Sequence, residues 1–183
     1  MKRKVIIVLC LFWCITFCAI SVDAKDSDKI LEIRQLYQSV EAMIKANKLV
    51  KTKIELIANE MLDIEMGQDI VPVYTFYWTY NTGILSKVAV YIGQGPVIFE
   101  KEYLYSPNGE IVFVFEKTSS FDGNTLEEFR YYFNQKKLIR YMEGKEIIEK
   151  NYSTEVIDLS DDKIREAETF QDVFEGVLKL STQ

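Results

Sequence analysis

Five glutamates, Glu100, Glu102, Glu116, Glu127 and Glu128, are the groups in this chain best suited to acid–base work. Glycoside hydrolysis needs two carboxyls about 5–9.5 Å apart, one of them with a raised pKa. Neighbouring strands can bring side chains to that spacing. The competing reading pairs the same acids with Lys101, Lys117 or Arg130 on a solvated face. Pairing is the expected outcome, because opposite charges across strands are common and weakly stabilising. A Ser–Lys dyad has less support, since no serine sits at a recognisable strained elbow.

The missing residue types exclude whole classes of chemistry. The chain has no histidine, and therefore neither a Ser-His-Asp triad nor an imidazole base. Its three cysteines, Cys10, Cys14 and Cys18, all lie in an apolar N-terminal run. Without that run there is no thiol nucleophile, redox pair or thiolate zinc site. Gly93 and Gly95 precede Pro96 and a strand-like segment rather than a helix, so no phosphate loop is formed. Asp158, Ser160, Asp161 and Asp162 offer the oxygens that calcium takes. They lack EF-hand spacing, and helix capping is the preferred account of them. Asp122, Gly123 and Asn124 read as a turn. No metal and no cofactor is expected.

Aromatic residues are the surplus, at 13% of the chain. Tyr74, Phe76, Trp78 and Tyr80 fall on one strand face, because side chains alternate. Phe99, Tyr103 and Tyr105 share a face, as do Phe113 and Phe115. Tyr132 shares one with Arg130, while Phe129, Tyr131 and Phe133 point the other way. Exposed on a concave sheet, Tyr74, Trp78, Tyr80, Tyr103 and Tyr105 would suit a sugar, a lipid-like ligand or a protein partner. Packed inside, the same rings would stabilise the sheet, which is the commoner fate of such residues.

The elements that must carry these groups follow from periodicity. Ile30, Ile33, Leu36, Tyr37, Val40, Met43 and Ile44 recur at steps of three and four, predicting a first helix that starts at Asp26–Asp28. The stretch from Leu49 to Ile57 carries both a helical and an alternating period. A strand is the preferred reading, because Asn47 and the lysines after it make a break. Gly67 to Pro72 reads as a loop. From Val73 to about Tyr152, runs of β-branched and aromatic residues alternate with turn signals, the sharpest being Ser106-Pro107-Asn108-Gly109. Connections this short predict sequential antiparallel pairing. Strands such as Val73–Tyr80 and Ile111–Phe115 are apolar on both faces, so helices are expected to cover part of one face and sheet curvature to help bury the other. A last helix carries Ile164, Ala167, Phe170, Phe174, Val177 and Leu178 as one stripe. Ser160 is its expected N-cap, with Leu159 and Ile164 as a hydrophobic staple. The fold class expected is α+β: an N-terminal helix, an antiparallel meander of about six to seven strands, and a C-terminal helix packed on the sheet.

The N-terminus adds a location. Lys2, Arg3 and Lys4 precede an 18-residue apolar run, Val5 to Val22, and small residues at Val22 and Ala24. That order is the one a secretory signal peptide has, so residues 1–24 are expected to be cut off and 25–183 to form a single domain. The run is long for a signal core and short for a comfortable span. The alternative is therefore an uncleaved anchor over residues 5–22. The leader holds three basic residues and one acid, so its loss takes the formal net charge from −6 to −8. An acidic domain without a basic stripe is a poor ligand for nucleic acid or for anionic lipid headgroups.

Glu127 to Glu146, EEFRYYFNQKKLIRYMEGKE, resembles a recurring pattern in uncharacterised secreted bacterial proteins, with an acid and an arginine before a YYF strand, a polar turn and a KLIR strand. Glu100 to Lys117 is similar to the hairpin that precedes it in such proteins, and Ile33 to Glu41 to their first helix. The likeness covers about half of residues 25–183. It implies an exported protein with no assigned activity, so no functional residues carry over. One departure is the aromatic density before Asn81.

Taken together, these readings predict a periplasmic or secreted, non-catalytic binding or interaction module. Its partner is expected to be a protein, a small molecule or a glycan of the envelope, met on the aromatic sheet surface. The alternative is a carbohydrate-acting hydrolase with paired glutamates. Membrane contact is expected only if the leader is retained.

Overall fold

The computed structural model describes residues 26–55 and 72–181. The leader, the stretch around Met61 and Ile64 and most of the expected loop before Pro72 lie outside the described residues. The first helix, α1, covers residues 26–45. It ends in a Schellman turn, with Asn47 at φ 53° and Lys48 N–H donating to Met43 O at 2.9 Å. Eight strands follow: β1 Val50–Glu55, β2 Val73–Thr79, β3 Ile84–Gln94, β4 Val97–Tyr105, β5 Ile111–Ser120, β6 Thr125–Asn134, β7 Lys137–Glu143 and β8 Glu146–Ile148. They lie in one sheet in sequence order, every neighbouring pair antiparallel. The count exceeds the expected six to seven because the ambiguous segment after Asn47 is a strand and the short β8 also pairs.

The closing helix, α2, spans Thr154–Ser181. It begins earlier than the expected cap at Ser160. Ser153 takes that role, its Oγ accepting from Val156 N–H at 3.2 Å. Ser160 lies inside the helix and donates to Ile157 O at 2.8 Å. Leu159 is 37% exposed, so the expected staple is not formed. Asp158, Asp161 and Asp162 belong to the body of the helix rather than to a calcium loop, and Asp162 pairs with Arg165.

The helices cover opposite faces of the sheet rather than one face, so the second face is buried by a helix and not by curvature. Tyr103 packs with Ile164, Ala167 and Phe174 of α2, whereas its neighbour Leu104 packs with Ile30, Ile33 and Val40 of α1. Adjacent strand residues point to opposite faces, so one sheet carries two cores. This is why β5 is apolar on both sides.

Two bulges enrich the α1 face. Leu104 stands opposite Phe113 and Tyr105 opposite Ile111, leaving Val112 unpaired. Tyr132 stands opposite Arg140 and Phe133 opposite Leu138, leaving Ile139 unpaired. Each extra residue breaks the alternation, so Val112 and Phe113 both enter the core under α1. The β6–β7 turn holds Gln135 and Lys136 at φ 51° and 59°, the two left-handed positions of a type I′ hairpin.

Candidate functional site

Four of the five aromatics singled out in the sequence, Tyr74, Trp78, Tyr103 and Tyr105, lie on the sheet face that α2 covers, and the fifth, Tyr80, stands in the turn after β2. Tyr103 and Tyr105 are 0% and 1% exposed. The Tyr105 hydroxyl donates to Ala167 O at 2.9 Å, tying the strand to the helix backbone. Trp78 is half-buried against Phe174, with ring centres 5.8 Å apart, and its Nε1–H donates to Thr52 Oγ1 at 3.1 Å. Tyr74 leans on Phe170 at 5.8 Å. Tyr80, 77% exposed, is the open one. The five therefore do not form one continuous surface, because α2 covers the centre of the set.

A groove of about 270 Å³ remains where α2 crosses β3 and β4. Tyr74, Val90, Ile92 and Phe170 form its apolar wall, and Lys101, Tyr103, Glu166 and Thr169 supply polar atoms. Phe170 meets the Tyr103 ring edge-on at 4.9 Å. At its inner end lies a charge cluster. Lys163 sits 2.8 Å from Glu116 and 3.6 Å from Glu166, and Lys101 is 3.1 Å and 3.5 Å from the same two acids. The Tyr103 hydroxyl donates to Glu166. Two cations thus hold two carboxylates, and the whole cluster is locally neutral.

Burial pushes the Glu166 carboxyl up, but the Tyr103 hydrogen bond and the Lys101 and Lys163 charges outweigh it and leave the group below its ordinary value. Burial, followed by the Glu166 charge, pushes the Tyr103 phenol far up, so it stays protonated as a donor. A carboxyl lowered in this way is unsuited to give up a proton as a general acid near neutral pH. It also makes a pH signature. A carboxyl depressed on folding stabilises fully above its unfolded value, and the contribution fades as pH falls through the folded value. Glu166→Gln is expected to lower the urea midpoint at pH 7, with the gap to wild type closing from about pH 5 downward. A gap that does not change with pH would contradict this assignment.

The five glutamates weighed for acid–base chemistry do not converge. Glu127 and Glu128 are neighbours on β6 and point to opposite faces. Glu100 is 3.4 Å from Lys117, Glu116 is held as above, and Glu128 pairs with Arg130. Glu102 lies on the α1 face, 2.8 Å from Lys87 and 2.7 Å from the Tyr37 hydroxyl that donates to it. Lys87 is also 2.6 Å from Glu41 and sits 5.2 Å from the centre of the Tyr37 ring.

Lys163, Glu166, Thr169 and Phe170, the α2 residues of this site, were not singled out together in the sequence. Their signal was available: Lys163, Glu166 and Phe170 fall on one helical face beside the apolar stripe of Ile164 and Ala167. Among the described residues there is no group of three or more acidic side chains placed to hold a metal ion, and no helix is long and apolar enough to cross a membrane. Comparison with protein-family models, curated proteins and solved structures gives no match.

Proposed function

We propose that this chain is exported and works as a non-catalytic binding module, taking a small ligand in the groove between α2 and strands β3 and β4. The observation that carries the reading is the makeup of that groove. An apolar wall of Tyr74 and Phe170 faces fixed hydrogen-bonding atoms on Lys101, Glu166 and Thr169. Such a wall, with a few convergent polar groups, matches ligands that have one apolar face and a rim of hydroxyls, as sugars do. Export is supported by the charged, apolar and small-residue order of residues 1–24. The lack of catalysis is supported by the ion pairing of four of the five glutamates and the absence of histidine.

The test is a titration of the exported protein with a panel of neutral oligosaccharides, followed by amide chemical shifts. Saturable shifts at Tyr74, Lys101 and Thr169 are expected. Thr169 is exposed on α2, so Thr169→Tyr should fill the groove mouth and abolish binding while the melting temperature holds. Binding that survives this variant, or no saturable binding on the panel, would refute the reading. Turnover of any panel member that stops on Glu127→Gln or Glu128→Gln would favour the hydrolase instead. The mass of the exported product should correspond to a chain lacking residues 1–24.

A further inference from the structure

The opposite face of the sheet holds a second cleft, of about 300 Å³, beneath α1. Its floor is built from two cross-strand rows. Phe113 of β5 stands opposite Tyr132 of β6, and one row along Phe115 stands opposite Arg130. Its wall is one face of α1, where Arg34 and Tyr37 are three residues apart. The rings are already packed on one another: Tyr37 meets Phe113 edge-on at 5.6 Å, and Phe113 and Tyr132 lie 4.9 Å apart.

Three guanidinium groups stand over these rings. Arg130 is 5.5 Å from the centre of Phe115, and Arg34 and Arg140 are each 5.9 Å from the centre of Tyr132. Two of the three are neutralised. Arg130 pairs with Glu128 and donates to Gly144 O at 3.3 Å, and Arg140 donates to Glu149 at 2.8 Å. Arg34 is exposed, stands over the Tyr132 ring and, among the described residues, makes no ion pair or side-chain hydrogen bond. Its planar fork of donors is therefore held at the lip of an aromatic cleft with no carboxylate on it. In a chain of net charge −6, where the nearby arginines are paired, an unpaired guanidinium is a positive point that suits an anion.

We propose that this cleft binds a small organic carboxylate, its head on the Arg34 fork and a flat apolar body against Phe113, Phe115 and Tyr132. One free guanidinium matches a planar monoanion, whereas a doubly charged phosphate would keep an uncompensated charge. The cleft volume lies at the lower end of the range for small-molecule sites, about 300–1,000 Å³. The site is separate from the groove under α2 and does not depend on it.

The test uses 2-naphthylacetate as the probe and its uncharged amide as the control, followed by amide shifts on the exported protein. The acid should give saturable shifts at Arg34, Tyr37, Phe113, Phe115 and Tyr132, and should bind about tenfold more tightly than the amide. Arg34→Gln, at an exposed position, should weaken the acid about tenfold, leaving the amide and the melting temperature unchanged. Added salt should weaken only the acid. Equal affinity for acid and amide, an unaffected Arg34→Gln variant, shifts on the α2 side, or no saturation up to the solubility limit would each overturn the proposal.

Discussion

Replacing Tyr103 with alanine is expected to remove about 3–5 kcal/mol of stability, the range for deleting a large buried aromatic. Tyr103 is 0% exposed, Phe170 packs on its ring at 4.9 Å, and its hydroxyl donates to Glu166. The loss should appear as a fall in melting temperature of about 6–20 °C, given about 2–4 °C per kcal/mol for a chain of this size. Tyr103→Phe separates the two contributions. It keeps the ring and removes one donor from a carboxylate that retains Lys101 and Lys163, so about 1–2 kcal/mol is expected. Urea denaturation of both variants checks the order. An alanine variant that loses less than about 1 kcal/mol would mean that α2 does not seal this ring.

Lys87→Met is expected to cost about 3 kcal/mol, the low end for breaking a buried ion pair. The lysine side chain is 5% exposed between Glu41 and Glu102, whose own side chains keep 28% and 24% exposure. Removing the cation leaves two carboxylates facing each other across the α1–sheet seam, and their residual access to water limits the penalty. The effect should reverse when the acids go too. Lys87→Met combined with Glu41→Gln and Glu102→Gln should recover most of the loss, because no uncompensated charge remains. Urea midpoints of the single and triple variants decide this. Equal losses in both would show that packing of the lysine stem, not charge, is what Lys87 contributes.

How far the sequence reveals this molecule depends on the kind of signal. The hairpins were legible because their turns are chemical. Pro107-Asn108-Gly109, with Gly109 at φ 81°, and Asn81-Thr82-Gly83, with Gly83 at φ 64°, sit where the chain reverses. The first helix was legible because its apolar period is clean and Asn47 stops it. The start of α2 was not, because Ser153 and Ser160 are both competent caps, and only the chain before them decides which is used. The site was half legible. Alternation placed Tyr74 with Trp78, and Tyr103 with Tyr105, each pair on one face of its own strand, but a strand face says nothing about what is laid over it, and α2 covers most of this one. The α1 cleft was hidden for another reason. Phe113 with Phe115, and Arg130 with Tyr132, each read as pairs on one face. The bulges at Val112 and Ile139 shift parity along their strands, so adding the α1 face up across β5, β6 and β7 needs the register itself.

The meander order has a consequence for the sequence of assembly. From β2 to β8 each strand bonds to its chain neighbour across a short loop, which costs little entropy to close. The helices have no such advantage: Tyr37 reaches Glu102 across 65 residues, and Tyr103 reaches Glu166 across 63. During synthesis from the N-terminal end, α1 emerges before any strand it rests on, and its greasy stripe stays bare until β4 to β7 exist. The earliest of the described elements to be made is thus among the last to find its seat, which makes it a segment a holdase would usefully shield.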